Sequence, residues 1–516
     1  MNRPPLRSRA IAATALALST ALFATACSGG NGEEASADEL TMMVPLFGTA
    51  PDPSGEMQQA VEKLVGKKLK ITWVPNAEYP DKTNVTLASD KIPQVMVIQG
   101  EKTASFVKAA EAGAFWDLTD KLDAYPNLKP SEPQTAKNSM VNGKVYGIYR
   151  VRPLLRSAVM IRKDWLTKLN LKAPETVDEL RTVAKAFTEQ DPDGNGKKDT
   201  YGLIIPKWPG NYSSASPYDV IETWFGAPNG WGERDGKLVP GFDTPEFLAA
   251  NKWLKTWVDE GLINPDFATL DTGDWANPFV QGKGGIIIDV NVRAIQMLDL
   301  FKEKNPKDFD KVEMVGNLKR SDGKKFSYPF TGYAGVIAIS KQQIRTEEQL
   351  TEVLKLLDKL ASKEGQVLLT NGIEGRNFKA EGKFAVPINE SDPKIQQIKN
   401  DVDKAFIQLG TKASVGMGAY TPKPNDEPSR LHYELRERLV AEDLKTAVHN
   451  PALGIVAPTS IEKGQTIETI VSDARVKFLS GAINEDQLKA EIKRWYDSGG
   501  TQIVAETNDL YAKLGG

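Results

Sequence analysis

From residue 40 onward, short apolar runs alternate with amphipathic stretches, and no other feature of this chain narrows its fold as much. Residues 40–46, 69–74 and 94–98 read as strands, and residues 56–65, 80–89 and 104–112 read as helices. Strands that are apolar along their whole length need cover on both faces, which intervening helices supply when the strands run side by side in a mostly parallel sheet. The expected class is therefore α/β. At 516 residues the chain exceeds what one core usually holds, so two lobes are expected. In open α/β sheets ligands meet the loops at the carboxyl ends of the strands. Here those loops are residues 47–55 and 75–79.

The first 39 residues are excluded from the folded body. Arg3, Arg7 and Arg9 precede an apolar run over residues 11–23 that is too short to span a bilayer, so residues 1–26 read as an export signal. Ala24-Thr25-Ala26-Cys27 is similar to a bacterial lipoprotein cleavage site, with Cys27 as the lipid attachment point and residues 27–39, rich in small and acidic side chains, as a tether. The expected location is extracytoplasmic, anchored to the membrane by lipid alone. Cys27 is the only cysteine, which excludes an intrachain disulfide framework and cysteine-ligated zinc. A formal charge of -3 favours neither nucleic acid nor acidic polymers as general partners, so any charge selectivity must be local.

Residues 191–199, Asp-Pro-Asp-Gly-Asn-Gly-Lys-Lys-Asp, space hard oxygen donors as an EF-hand loop does. Asp191, Asp193, Asn195 and Asp199 occupy ligand positions 1, 3, 5 and 9, Lys197 offers its backbone carbonyl at position 7, and Gly196 stands at the turn. A hydrophilic turn that binds nothing uses the same residue types. A helix enters the loop, with Thr176 and Glu179 as a capping box. What leaves it, residues 201–205, is a strand pattern, and Gly202 stands where an EF-hand has its bidentate Glu. The expectation is a fixed structural calcium site rather than a calcium-responsive switch.

Beyond the loop, Trp208, Tyr212, Tyr218, Trp224, Phe225 and Trp231 lie among Pro, Gly, Asn and Ser with no period that would bury them as a stripe. Such aromatics present flat apolar faces suited to sugar rings, or else pack loops. Thr244 and Pro245 open a helix closed by Gly261, with Trp257 inward. Thr346 and Gln349 cap another, and Trp495 sits at core spacing near the C-terminus. Gly282-Lys283 lacks the rest of a phosphate-binding loop and reads as a tight turn before the strand at residues 286–289. The chain has two histidines, His432 and His449, without a Gly-x-Ser-x-Gly elbow or His-x-x-x-His spacing, and both are expected at the surface. No catalytic residue is assigned and no enzymatic activity is expected. Among 68 acidic residues a glycosidase carboxylate pair has no identifying context, yet a polysaccharide-active hydrolase or lyase stays an alternative, as does a surface adhesion lipoprotein.

In this order, the lipoprotein signal, the strand–helix first part, Val145-Tyr146-Gly147-Ile148, the calcium-like loop, the Trp-rich zone, Trp275 before Gly282-Lys283, Asn371-Gly372-Ile373-Glu374-Gly375 and Trp495-Tyr496 resemble one family. It is that of the lipid-anchored extracellular solute-binding proteins (family 1) of bacterial ABC importers that handle oligosaccharides. The resemblance implies a two-lobed periplasmic-binding-protein-like fold joined by hinge crossovers, closing on an oligosaccharide that is passed to ABC permease subunits, and working as a monomer. Residues 40–150 with about 335–400 would form the first lobe, and residues 151–334 with about 401–516 the second. Residues 191–199 are similar to a calcium loop of alginate-oligosaccharide-binding members, in which an acidic ligand follows the last Asp. Here that residue is Thr200, which becomes the replacement ligand, alone or through water. The foremost candidate for stacking on a sugar is Trp275, followed by Trp208, Tyr333 and Trp231, with Tyr212, Trp224 and Tyr149 also aromatic candidates. Arg152, Asp289, Glu374 and Arg376 are candidates for hydroxyl or uronate groups, with ion pairs between the lobes as the alternative for Arg152, Arg376 and Glu374.

Overall fold

A computed structural model describes residues 39–89, 91–208, 210, 212–412 and 420–515. The signal, Cys27 and most of the tether lie outside the described residues. In chain order the strands of the two principal sheets and one hairpin are β1 (Glu39–Leu46), β2 (Lys68–Pro75), β3 (Val95–Ile98), β4 (Ile148–Val151), β5 (Ser157–Arg162), β6 (Tyr201–Leu203), β7 (Trp231–Arg234), β8 (Lys237–Pro240), β9 (Gly284–Val290), β10 (Val312–Val315) and β11 (Tyr333–Ile339). One sheet has the order β2-β1-β3-β11-β4 and the other β10-β5-β9-β6, each flanked by helices.

The strand–helix alternation of the first lobe is present with its expected boundaries nearly unchanged: the helix Glu56–Val65 lies between β1 and β2, and Ala104–Glu111 follows β3. The expectation of mostly parallel sheets needs correction, because both sheets are mixed. In the first, β1 runs parallel to β2 and β3, whereas β11 is antiparallel to β3 and β4. In the second, β5 is antiparallel to β10 and β9, and only β6 with β9 is parallel. A strand buried on both faces has the same apolar pattern whichever way its neighbour runs.

Alternate residues of each strand feed different cores. Met42, Val44, Val95, Val97 and Ile337 pack in one cluster with Leu350, Leu354 and Leu357 of the helix Glu347–Ala361, while Met43, Met96, Ile98 and Val336 face a second. In the other lobe Val159, Ile161, Ile286 and Ile288 join Leu180, Phe187 and Trp257, and Ala158, Met160 and Ile287 join Met297 and Phe301 on the opposite face. Val402, Phe406 and Leu409 belong to the first lobe's core, so the chain stays with that lobe to about residue 410.

Three chain segments cross between the lobes side by side. The Val151 amide donates to the Thr411 carbonyl (2.7 Å), Arg152 to Gly332 (2.8 Å) and Phe330 to Leu154 (2.7 Å). Gly335 makes the crossing of β11 possible: its φ is +87°, the register shifts between Tyr333 and Val336, and a Cβ there would stand 2.0 Å from the Ile98 carbonyl oxygen. The expected caps are present at Thr176, Thr244 and Thr346. His432 corrects the expectation of a surface residue, for it is buried beside the Val312 carbonyl (3.1 Å) and burial lowers its pKa. His449 is exposed. No helix among the described residues is long and apolar enough to cross a membrane.

Candidate ligand-binding cleft

The principal cavity, of about 1000 Å³, opens between the lobes where the crossing segments form its floor. Phe47, Gln99 and Glu101 line it from the loops that follow β1 and β3. Those loops leave the carboxyl ends of parallel strands, as expected for residues 47–55; the candidate loop at 75–79 does not reach the cavity. Phe47 is 46% exposed although large and apolar, a ready-made contact surface.

The second lobe supplies the aromatic wall. Trp208 lies against the cavity with its indole N–H on Ser214 Oγ (2.9 Å) and Trp275 edge-on behind it (6.0 Å). Trp231, at the start of β7, and Tyr212 also line the wall, Tyr212 braced edge-on by Phe242 (5.2 Å) and Phe247 (5.8 Å). Ser213 and Ala215, which follow Tyr212, take left-handed backbone (φ +61° and +66°), which turns the loop sharply there.

Beneath this wall lies a buried ionic network. Arg475 donates to Asp219 Oδ1 (2.8 Å) and Glu222 Oε1 (3.1 Å), all three side chains being no more than 3% exposed. Its guanidinium also faces the rings of Tyr218 (4.7 Å) and Tyr212 (5.9 Å). Burial, with Asp219 as a second negative neighbour, pushes the Glu222 carboxyl up to about 7 against the pull of Arg475. One guanidinium thus holds two carboxylates under the aromatic wall.

Arginines occupy the floor. Arg150 is buried on β4 and donates to the carbonyls of Gly410 (3.3 Å) and Ala334 (3.2 Å) and to Gln408 Oε1 (2.8 Å). Burial lowers its pKa to about 10, with Arg152 adding repulsion. Arg152 and Arg156 follow on the crossover, Arg156 lying flat over Phe330 (4.1 Å). Lys102 reaches across the lobes: its ammonium bonds the carbonyls of Asn138 and Leu453 and the Tyr333 hydroxyl (3.2 Å).

The structure thus gathers six of the eleven residues expected at the ligand: Trp208, Tyr212, Trp231, Tyr333, Arg152 and Asp289. It places the others elsewhere. Trp275, the foremost candidate, is 2% exposed and spends its N–H on the Ile204 carbonyl (3.0 Å), so it supports Trp208 rather than the ligand. Trp224 is buried with its N–H on Asn317 Oδ1 (2.9 Å), and Tyr149 is buried in the first lobe. Arg376 makes a two-pronged pair with Glu56 (2.9 and 3.0 Å) within one lobe, and Glu374 is exposed nearby, away from the cavity. Sequence reading reached Phe47 only through its loop and missed Glu101, Arg150, Arg156, Asn229, Tyr328 and Asn450. For Arg150 and Arg156 a signal existed, since they flank Arg152 on the same expected crossover. Trp495, read as packing, does pack edge-on against Phe242 (4.9 Å) and also reaches the cavity wall.

The EF-hand-like loop lies on the second lobe outside this cavity. Gly194 and Gly196 take positive φ, and the Asp191 carboxylate accepts from the amides of Gly194, Asn195 and Gly196 (3.0 Å each). The Asn195 amide bridges Asp193 Oδ2 (2.7 Å) and Asp199 Oδ1 (3.0 Å), while Lys283 pairs with Asp199 (2.8 Å). Among the described residues no three acidic, His or Cys side chains are gathered into a metal cage. The donor types suit a hard cation, with side-chain oxygens on Asp191, Asp193, Asn195 and Asp199 and the Lys197 carbonyl at EF-hand spacing, although here the Asn195 amide turns its N–H groups, not its oxygen, to Asp193 and Asp199. Thr200 does not fit as a side-chain ligand. It is buried and donates to the Phe187 carbonyl (2.8 Å), anchoring the loop to the preceding helix.

Comparison with known proteins places this architecture. The description of the bacterial extracellular solute-binding protein family matches residues 50–367. Lipoprotein LipO of Bacillus subtilis (strain 168) is 39% identical over 483 residues, 93% of this chain and 94% of that protein. The polygalacturonan/rhamnogalacturonan-binding protein YtcQ of the same strain is 35% identical over 473 residues, 92% of this chain and 91% of that one. Among solved structures, an extracellular solute-binding protein from Bifidobacterium longum subsp. infantis superposes with a TM-score of 0.71 at 20% identity, covering 93% of this chain and 99% of that chain. Alginate-binding protein AlgQ2, solved without calcium ion, superposes with a TM-score of 0.62 at 18% identity, covering 92% and 98%.

Proposed function

We infer that this chain, which belongs to the bacterial extracellular solute-binding protein family, captures an oligosaccharide between its lobes and presents it to the permease of an ABC importer. The observation that carries this reading is the interlobe cavity itself, with aromatic faces on one wall, hydrogen-bonding groups on the other and the lobe crossings as its floor. Sugar rings are apolar on their faces and polar at their edges, and this lining offers both kinds of contact. The long coverage of YtcQ supports a saccharide as the ligand. Isothermal titration against a glycan panel is expected to find a saccharide that binds, and small-angle scattering to show the lobes closing on it. Binding of peptides or metal chelates but of no saccharide would overturn the reading, and so would release of reducing sugar from a polysaccharide. Lipid attachment at Cys27 accords with the lipoprotein relative; Cys27→Ala is expected to release the protein from membranes, and unchanged membrane retention would refute the anchor.

Residues 191–199 hold a structural calcium ion through Asp191, Asp193, Asn195, Lys197 and Asp199, with water in place of a sixth side chain. Bound calcium neutralises the loop's carboxylates and ties the helix Val177–Glu189 to β6. At free calcium a hundredfold above Kd it stabilises the fold by about 2.7 kcal/mol, so a chelator lowers Tm by about 3 °C in a chain of this length. Restoring calcium returns it. A Tm indifferent to chelator, in protein that metal analysis finds calcium-free throughout, refutes the site.

A further inference from the structure

Three arginines stand within seven residues on the crossover that floors the cleft, and their partners set them apart from the buried Arg475 and Arg162. Arg475 has two carboxylates and Arg162 has Asp164. Among the described residues Arg150, Arg152 and Arg156 pair with no carboxylate within 4 Å. Arg150 is satisfied by neutral acceptors only. The Nε atoms of Arg152 and Arg156 are buried and have no hydrogen-bond partner at all. Asp289 and Glu101 share the cavity and act on Arg156 from a distance, but neither makes a direct pair with the floor: Asp289 is held by Arg293 (2.7 Å), and Glu101 stands beside Lys102 at the first-lobe wall.

Concentrating like charges in a partly desolvated floor is unfavourable unless an anion compensates. Neutral sugar hydroxyls do not need it, since amides and hydroxyls serve them at lower cost. A guanidinium with free N–H groups matches a planar carboxylate in a two-pronged geometry, which lysine does not reproduce. Resting on the oligosaccharide reading above, we propose that the cleft is specific for acidic oligosaccharides, with Arg152 and Arg156 receiving the carboxylate of a uronate residue. Arg150 contributes positive potential from behind and fixes the strand that carries Arg152. Trp208 and Trp231 line the same cavity as these arginines, so one ligand can meet both.

The test compares uronate trisaccharides with their carboxyl-reduced counterparts, which keep the rings and lose the charge, by titration calorimetry on the full chain. The acidic forms bind about 10- to 150-fold more tightly, the value of hydrogen bonds to a charged group, and their affinity falls with added salt while that of the reduced forms does not. In the Arg152→Gln/Arg156→Gln double variant the acidic-to-reduced ratio collapses to within about threefold of unity. Reduced or neutral trisaccharides binding as tightly as uronates, or a ratio untouched in the folded double variant, overturns the proposal and leaves the receptor reading standing. Failure of every saccharide to bind overturns both. The wild-type panel and its salt dependence decide the matter even where the double variant does not fold.

Discussion

Replacing Arg475 with leucine is expected to lower the unfolding free energy by about 3–5 kcal/mol, the usual loss when one partner of a buried ionic network is removed. The residue is 2% exposed, and its removal strands the Asp219 and Glu222 carboxylates in the core with only neutral donors left. Leucine fills part of the volume, so the loss reports charge rather than cavity. Adding Asp219→Asn and Glu222→Leu removes the orphaned acids and should recover a substantial part of the loss, because an apolar set of similar volume often matches a buried ion network. Urea unfolding followed by tryptophan fluorescence and circular dichroism reads both numbers. A loss below about 1 kcal/mol for Arg475→Leu would show that the carboxylates are neutral or hydrated in the fold, against the geometry described above.

The second large effect separates two neighbouring tryptophans. Trp208→Ala is expected to weaken the bound oligosaccharide about 10- to 100-fold, roughly 1.4–2.8 kcal/mol, by removing a stacking face from the cleft wall. Trp275→Phe, one ring further back, should cost about 1–3 kcal/mol of stability by leaving the Ile204 carbonyl without its donor, with a change in affinity of less than about fivefold. Titration calorimetry and urea unfolding on both variants give a two-by-two result. If Trp275→Phe loses more affinity than Trp208→Ala, the wall is not formed by Trp208 and the assignment of the cleft fails.

That pair also shows where sequence reading stops. Trp275 and Trp208 both stand among Pro, Asp and Gly in irregular segments, and nothing local says which ring meets solvent. The choice depends on Ile204, whose carbonyl waits for one indole N–H from 71 residues away in the chain. Arg376 and Glu374 were attractive for the same kind of reason, polar residues in a Gly-rich turn. A bidentate pair with Glu56, 320 positions distant, keeps Arg376 from the cleft.

What the sequence determined by itself was everything written in local periodicity and turn chemistry. The strand–helix alternation of the first lobe, the capping residues Thr176, Thr244 and Thr346, the burial of Trp257 and the loop at residues 191–199 follow from side-chain spacing over a few residues. Only the tertiary structure decided strand direction and the content of the cleft. Strand direction depends on where the crossings return the chain, and a strand covered on both faces is apolar throughout in either sense. The cleft draws on segments around residues 47, 101, 152, 208, 231, 289, 333 and 450, which only the three side-by-side crossings bring together. Long-range pairing of that kind leaves no period in a single chain, and it turned three neighbouring arginines into one floor.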